Sequence, residues 1–251
     1  MTGSKELAGK AAIVNGAGRN IGRAIALTLA EGGASILVNA RGNRTEAETV
    51  ASEIEAAGGK AIVHIGDVAD AKAVRAMADA ALSHFGRIDM LVNNAAMRRE
   101  KPFAEMDYAE WRAILDVTLD GAFHCTKACL PALRTSGAGA IVNIGGLSAH
   151  TGAKDRAHVV TAKAGIVGFT RALAHDLACD GITVNCVGPG LIGTPRPKGP
   201  EPAHHLTHQT ISGERGRPED VAAAVRFLCG PAARYITGQA IHSNGGAYLS
   251  T

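Results

Sequence analysis

Aromatic side chains are scarce: one Trp, three Tyr and five Phe make up 4% of 251 residues. A core organised around large rings is therefore excluded, and Ala, Val, Ile and Leu must fill it. No apolar run approaches the roughly 18 residues that span a bilayer, and the opening MTGSKELAGK has no apolar stretch from which a secretory leader is expected. Charge of one sign is also missing. The balance of 26 Lys and Arg against 23 Asp and Glu leaves a net charge of +3, too small and too evenly spread for a nucleic-acid partner. Five cysteines are an odd number, which argues against a disulfide framework and fits a reducing cytoplasm. With 46% hydrophobic and 20% charged residues, the chain is neither fibrous nor disordered. The 31 glycines point to close backbone approaches.

Short Val- and Ile-rich runs alternate with segments of helical period. The strand candidates are Ala11–Asn15, Ser35–Ala40, Ala61–Ile65, Met90–Asn94, Ala140–Ile144, Thr183–Val187 and Ala240–Ser243. Each is nearly continuous in apolar residues, as in strands buried on both faces of a parallel sheet. Between them, Ile21–Ala30, Arg44–Ala57, Ala71–Phe85, Ala109–Leu133 and Pro218–Cys229 read as helices, the second stopped by Gly58-Gly59. This alternation predicts a doubly wound α/β sheet of seven parallel strands in a single domain over residues 1–251. The proline-rich segment Leu191–Arg217, with His204, His205 and His208, has no clear period and is expected to form a lid over a site.

The first strand runs into Asn15-Gly16-Ala17-Gly18-Arg19-Asn20-Ile21-Gly22 and then a helix. Such a turn presents backbone N–H groups and the positive end of a helix dipole to a pyrophosphate. It resembles the T-G-x-x-x-G-x-G turn of the short-chain dehydrogenase/reductase family, whose fold is of Rossmann type. Further motifs agree in order: Asp67-Val68, Asn93-Asn94-Ala95-Ala96, Lys163-Ala164-Gly165, Pro189-Gly190 followed by Ile192 and Thr194, and Ile236–Gly246. Within the family the likeness is greatest to the 3-oxoacyl carrier-protein reductases. It implies a nicotinamide cofactor bound by Gly16, Arg19, Asn20, Ile21, Gly22, Arg41, Asp67, Val68, Asn94, Ala95, Lys163, Pro189, Gly190, Ile192 and Thr194. It also implies a homotetramer. The turn departs from the pattern at Asn15 and Asn20. Asn tolerates left-handed backbone better than most residues, so Asn20 is expected to keep the turn's shape.

An acid roughly 20 residues past the turn accepts from the adenosine ribose and repels a 2′-phosphate. After the second strand this chain has Arg41 and Arg44, with no acid until Glu46. Arg41 together with Arg19 is expected to favour NADP(H), since a guanidinium suits a phosphate dianion.

At the catalytic end the likeness thins. The family places a Tyr four residues before the Lys, a Ser thirteen residues before the Tyr, and an Asn on the preceding long helix; here those positions hold Val159, Gly146 and Thr118. Only Lys163 is retained. The chain's tyrosines are Tyr108, Tyr235 and Tyr248, none of them between the fifth strand and Lys163. Ser148 and His150 are candidate substitutes, the histidine because it titrates near neutrality. His158 is a weaker one, since a one-residue step turns it about 100° from Val159. Arg98, Arg99, Lys154, Asp155 and Arg156 either attract an anionic small-molecule substrate or form a solvated charged loop. Cys125 and Cys129 lack partners for a zinc site and read as packing residues. Three readings stay open on the residues alone: an oxidoreductase with an altered site, a lyase or isomerase reusing the pocket, and a cofactor-binding protein without turnover.

Overall fold

The computed structural model describes residues 5–195, 205 and 209–249. Seven strands form one sheet: β1 (Ala11–Val14), β2 (Ser35–Ala40), β3 (Lys60–Ile65), β4 (Met90–Asn93), β5 (Ala140–Ile144), β6 (Thr183–Pro189) and β7 (Ala240–Ser243). Their order is β3-β2-β1-β4-β5-β6-β7, and every pairing is parallel. The chain reverses its direction of travel across the sheet between β1 and β4. That is the crevice where open α/β sheets bind ligands.

Helices cover both faces: α1 (Asn20–Glu31), α2 (Arg44–Ala56), α3 (Ala71–Phe85), α4 (Tyr108–Leu115), α5 (Gly121–Thr135), α6 (Ser148–Thr151), α7 (Ala157–Asp176) and α8 (Pro218–Cys229). Ala12 and Val14 pack with Ile25, Leu29, Val50 and Val225 of α1, α2 and α8 on one side. Ile13 faces Met77, Cys125 and Leu177 on the other. Adjacent residues of one strand thus serve two cores, which is why the strands carry no polar alternation. Helix starts follow local chemistry. Asn43 accepts from the Glu46 N–H at α2, Asp70 from the Lys72 N–H at α3, and Asp107 with Glu110 closes a capping box at α4.

The strand and helix assignments hold apart from end residues and one division. The segment read as a single helix over Ala109–Leu133 is α4 and α5 joined by a π-helical turn at Asp116–Asp120. A π turn inserts one residue and shifts the helical phase without changing composition, so the segment reads as one helix. Of the segment expected as a lid, residues 196–204 and 206–208, including His204 and His208, lie outside the described residues. Ile192 bridges to Gly216 within the remainder.

Candidate functional site

The glycine turn is built by fit. Gly16 has φ +62°, and a Cβ on Gly22 would stand 2.1 Å from the Gly16 carbonyl oxygen and 2.6 Å from Asn94 Nδ2. Only glycine lets α1 start this close to β1, leaving bare backbone for a phosphate to approach. Asn20 takes φ 52°, the left-handed conformation expected of it. The turn fits a dinucleotide pyrophosphate.

Asn15 secures this turn to the end of β4. Its Oδ1 accepts from the N–H groups of Asn94 at 2.7 Å and Ala95 at 2.6 Å. In return, Asn94 Nδ2 donates to the carbonyls of Asn15 and Gly16. The chain of bonds continues inward: Asn15 Nδ2 to Asn93 Oδ1, Asn93 Nδ2 to Asn143 Oδ1, and Asn143 Nδ2 to Thr170 Oγ1 on α7. Sequence reasoning placed Asn93 in a family motif without seeing its role here, and missed Asn143 and Thr170. The available signal was a polar Asn near the carboxyl end of apolar strands.

Arg19 and Arg41 are exposed at the turn's outer end. The Arg41 guanidinium lies 3.7 Å from Met97 Sδ. Asp67 folds back on its own loop, accepting from the Ala69 N–H at 3.0 Å, while Val68 is buried against Gly121. Pro189 and Gly190 are pinned from two sides: the Leu147 N–H donates to the Pro189 carbonyl, and the Gly190 N–H to that of Ser243. Ile192 is buried and Thr194 half-buried. These residues share the carboxyl edge of the sheet.

Lys163 is buried on α7, and its Nζ donates to the Ile144 carbonyl at 2.6 Å. Desolvation, with smaller like-charge repulsion from Arg98 and Arg156, lowers its pKa to about 7, against the opposing pull of Cys186. Burial pushes the Cys186 thiol up to about 11, with Lys163 pulling the other way. One turn before Lys163, Val159 packs with Ile114, Leu115, Ala162, Met97 and Trp111. Gly146 faces open space, with nothing within 4 Å of a built Cβ. Thr118 sits in the π turn, and its buried Oγ1 has no hydrogen-bond partner among the described residues.

Ser148 opens α6 and is buried. His150 stacks on Tyr248 with ring centroids 5.0 Å apart and meets His242 at 4.6 Å. The fold thus brings a tyrosine to the loop after β5, although not to Val159. Desolvation lowers the pKa of His150, helped by Arg171, and of His242, helped by His150. His158 is fully buried, and desolvation lowers its pKa, with a smaller opposing contribution from the Arg156 backbone. Arg156 is buried at the start of α7 beside a hollow of about 260 Å³ that Phe103 and Val160 also line. Cys125 and Cys129 are buried packing residues. Among the described residues no cluster of His, Cys, Asp or Glu is placed to hold a metal ion, and no helix is long and apolar enough to cross a membrane.

Comparison with known proteins agrees with this geometry. Residues 16–248 match the family model described as Enoyl-(Acyl carrier protein) reductase. The 3-oxoacyl-acyl-carrier-protein reductase FabG of Staphylococcus aureus is 40% identical over 242 residues, covering 96% of this chain and 98% of that protein. The 3-oxoacyl-acyl-carrier-protein reductase of Synechocystis is 40% identical over 244 residues, with coverages of 97% and 98%. Among solved structures, a short-chain dehydrogenase/reductase mutant of Serratia marcescens superposes with a TM-score of 0.91 at 34% identity, covering 97% of this chain and all of that one. A dehydrogenase/reductase from Sinorhizobium meliloti gives 0.92 at 33%, with 98% of each chain covered. The chain belongs to the short-chain dehydrogenase/reductase family of oxidoreductases.

Proposed function

We propose that this chain is an NADP(H)-dependent oxidoreductase that works without the family's Ser–Tyr pair. One observation carries the reading. The pyrophosphate turn is fully formed and clamped by Asn15 and Asn94, while no phenol or hydroxyl stands at residues 159 and 146. The backbone N–H groups of Gly16–Gly22 hold the pyrophosphate, Arg19 and Arg41 face the 2′-phosphate, and Lys163 offers its remaining N–H groups to the nicotinamide ribose. When bound, the nicotinamide supplies or accepts the hydride. Asn94, Ala95, Pro189, Gly190, Ile192 and Thr194 form the floor and wall that orient it.

What is missing is a proton donor at the substrate oxygen. The reading therefore favours substrates that need little proton donation, such as an iminium or an activated alkene, over plain ketones. Arg98 and Arg156, both felt electrostatically at Lys163, support an anionic small molecule. Ser148 is the nearest hydroxyl in sequence to the vacated Ser position and the first candidate for touching substrate. A homotetramer is supported by apolar rings on the surface, Phe123 and Phe227 being 50% and 48% exposed. A cytoplasmic setting is supported by five unpaired cysteines.

Calorimetric titration with NADPH and NADH, followed by cofactor consumption with a panel of ketones, imines and enones, tests the reading. NADPH should bind the tighter by roughly ten- to a hundredfold, the value of a charge-assisted phosphate contact. Equal or reversed affinity defeats the cofactor assignment. Tight binding without consumption of cofactor by any substrate class would favour the non-catalytic alternative.

A further inference from the structure

We propose that Glu46 is a second cofactor-specificity residue, its carboxylate set against the glycine turn where it opposes a phosphate on the adenosine ribose. The inference rests on the reading that the turn binds a nicotinamide dinucleotide. It adds a determinant working against the arginines.

The end of β2 lies beside the turn, because the Ala17 N–H donates to the Asn39 carbonyl at 2.8 Å. The chain then leaves β2 through Arg41-Gly42-Asn43 and enters α2 at Arg44. The Asn43 side chain accepts from the Glu46 N–H at 3.2 Å, which fixes where the first turn of α2 points. That turn abuts Gly18. A Cβ built on Gly18 would lie 3.3 Å from Glu46 Cβ and 3.6 Å from Glu46 Oε2. The carboxylate therefore borders the outer half of the turn, between the phosphate cradle and the end of β2. The adenosine ribose of a bound dinucleotide occupies this position in the fold.

The arginines on the same side are partly engaged elsewhere. Arg41 Nη1 contacts Met97 Sδ at 3.7 Å, and Arg44 Nη1 pairs with Glu48 at 3.5 Å. A carboxylate here repels a phosphate dianion and accepts a hydrogen bond from a free ribose hydroxyl. The two sets of side chains pull in opposite directions, the guanidiniums toward NADP(H) and Glu46 toward NAD(H). Glu46 also complements the positive end of the α2 dipole. That structural role alone predicts a small stability loss on neutralisation and the same effect on every nucleotide.

The decisive experiment measures adenosine 2′,5′-bisphosphate and adenosine 5′-phosphate binding to the full chain by calorimetry, in wild type, E46Q and E46K. These probes differ only in the 2′-phosphate and involve no hydride chemistry. Glu46→Gln should tighten the bisphosphate about three- to tenfold and leave the monophosphate unchanged or slightly weakened, with Glu46→Lys going further. At 1 M salt the gain should shrink, as screening requires. The NADPH-to-NADH affinity ratio should rise in parallel. Equal changes for both probes, or none, overturn the role of Glu46 while leaving the dinucleotide reading intact. A wild type that binds neither the probes nor either cofactor overturns both.

Discussion

A lysine ammonium taken out of water beside two arginines costs the folded state, and Lys163 is held at about 7 by that cost, against roughly 10.4 for a free lysine. Between those values unfolding takes up a proton, so stability rises with pH across the window and is lost as pH falls toward 7. From pH 7 to 8.5 the gain is at most about 2 kcal/mol, at about 1.4 kcal/mol per unit. Above that range buried thiols reverse the trend. Cys186 is pushed up to about 11 and Cys125 to about 12, so unfolding there releases protons. Urea midpoints at pH 7.0 and 8.5 should rise for wild type and stay flat or fall for Lys163→Met; an equal rise in both would remove Lys163 as the cause. The vacated positions give a second expectation. Gly146→Ser meets nothing and should fold without adjustment. Val159→Tyr must make room within the small cluster of Ile114, Leu115, Ala162, Met97 and Trp111, where the unbranched Met97 is the most adaptable member. Wild type should reduce a simple β-keto ester very slowly, and the double variant should gain part of the 10²–10⁴-fold that general acid catalysis typically supplies. Adding Thr118→Asn should raise the rate further. Brisk reduction by wild type would refute this and turn attention to Ser148 and His150, each tested by Ala replacement.

At the level of elements, the asparagines make one connected structure from β1, β4, β5 and α7. Asn15 is its hinge, since two backbone N–H groups at the nucleotide crevice depend on its Oδ1. Asn15→Ala leaves two part-buried donors without their acceptor, which should cost about 1–3 kcal/mol in urea unfolding. The same change should weaken NADPH binding, because the Asn94-Ala95 peptide loses its anchor. Asn15→Thr, the residue the family pattern calls for, keeps one acceptor and should lose less than half as much. If Ala and Thr behave alike, the clamp has been misjudged. Strands were legible in sequence because each residue of β1, β4 and β5 is buried, so their runs are apolar apart from Asn93 and Asn143 near the carboxyl ends. The π turn at Asp116–Asp120 was not legible, because an inserted residue changes helical phase without changing composition. Thr118 was nevertheless marked by likeness to the family, and it falls inside that turn.

Across the whole molecule, the residues hardest to read were those that tertiary closure brings together. The glycine turn announces itself by local pattern, and Asn94 and Lys163 by likeness to the family's motifs. Glu46 meets Gly18, and Tyr248 meets His150 nearly a hundred residues away, only once the sheet has been wound. The same closure ties β1, β4 and α1 to one turn, so a ligand seated there should stabilise the chain as a unit. Binding to the native state alone adds RT ln(1 + [L]/Kd), about 2.7 kcal/mol at a hundredfold excess over Kd. For a domain of this size each kcal/mol moves the midpoint by about 2–4 °C. NADPH at that excess should therefore raise the Tm by roughly 5–10 °C, and NADH at the same concentration by clearly less. Arg41→Asp should reverse the order, since it removes a cation and adds an acid at the ribose. Thermal scans of wild type and variant with each cofactor provide the check. Equal shifts from the two cofactors in both proteins would mean that the 2′-phosphate is not felt at this end of the fold.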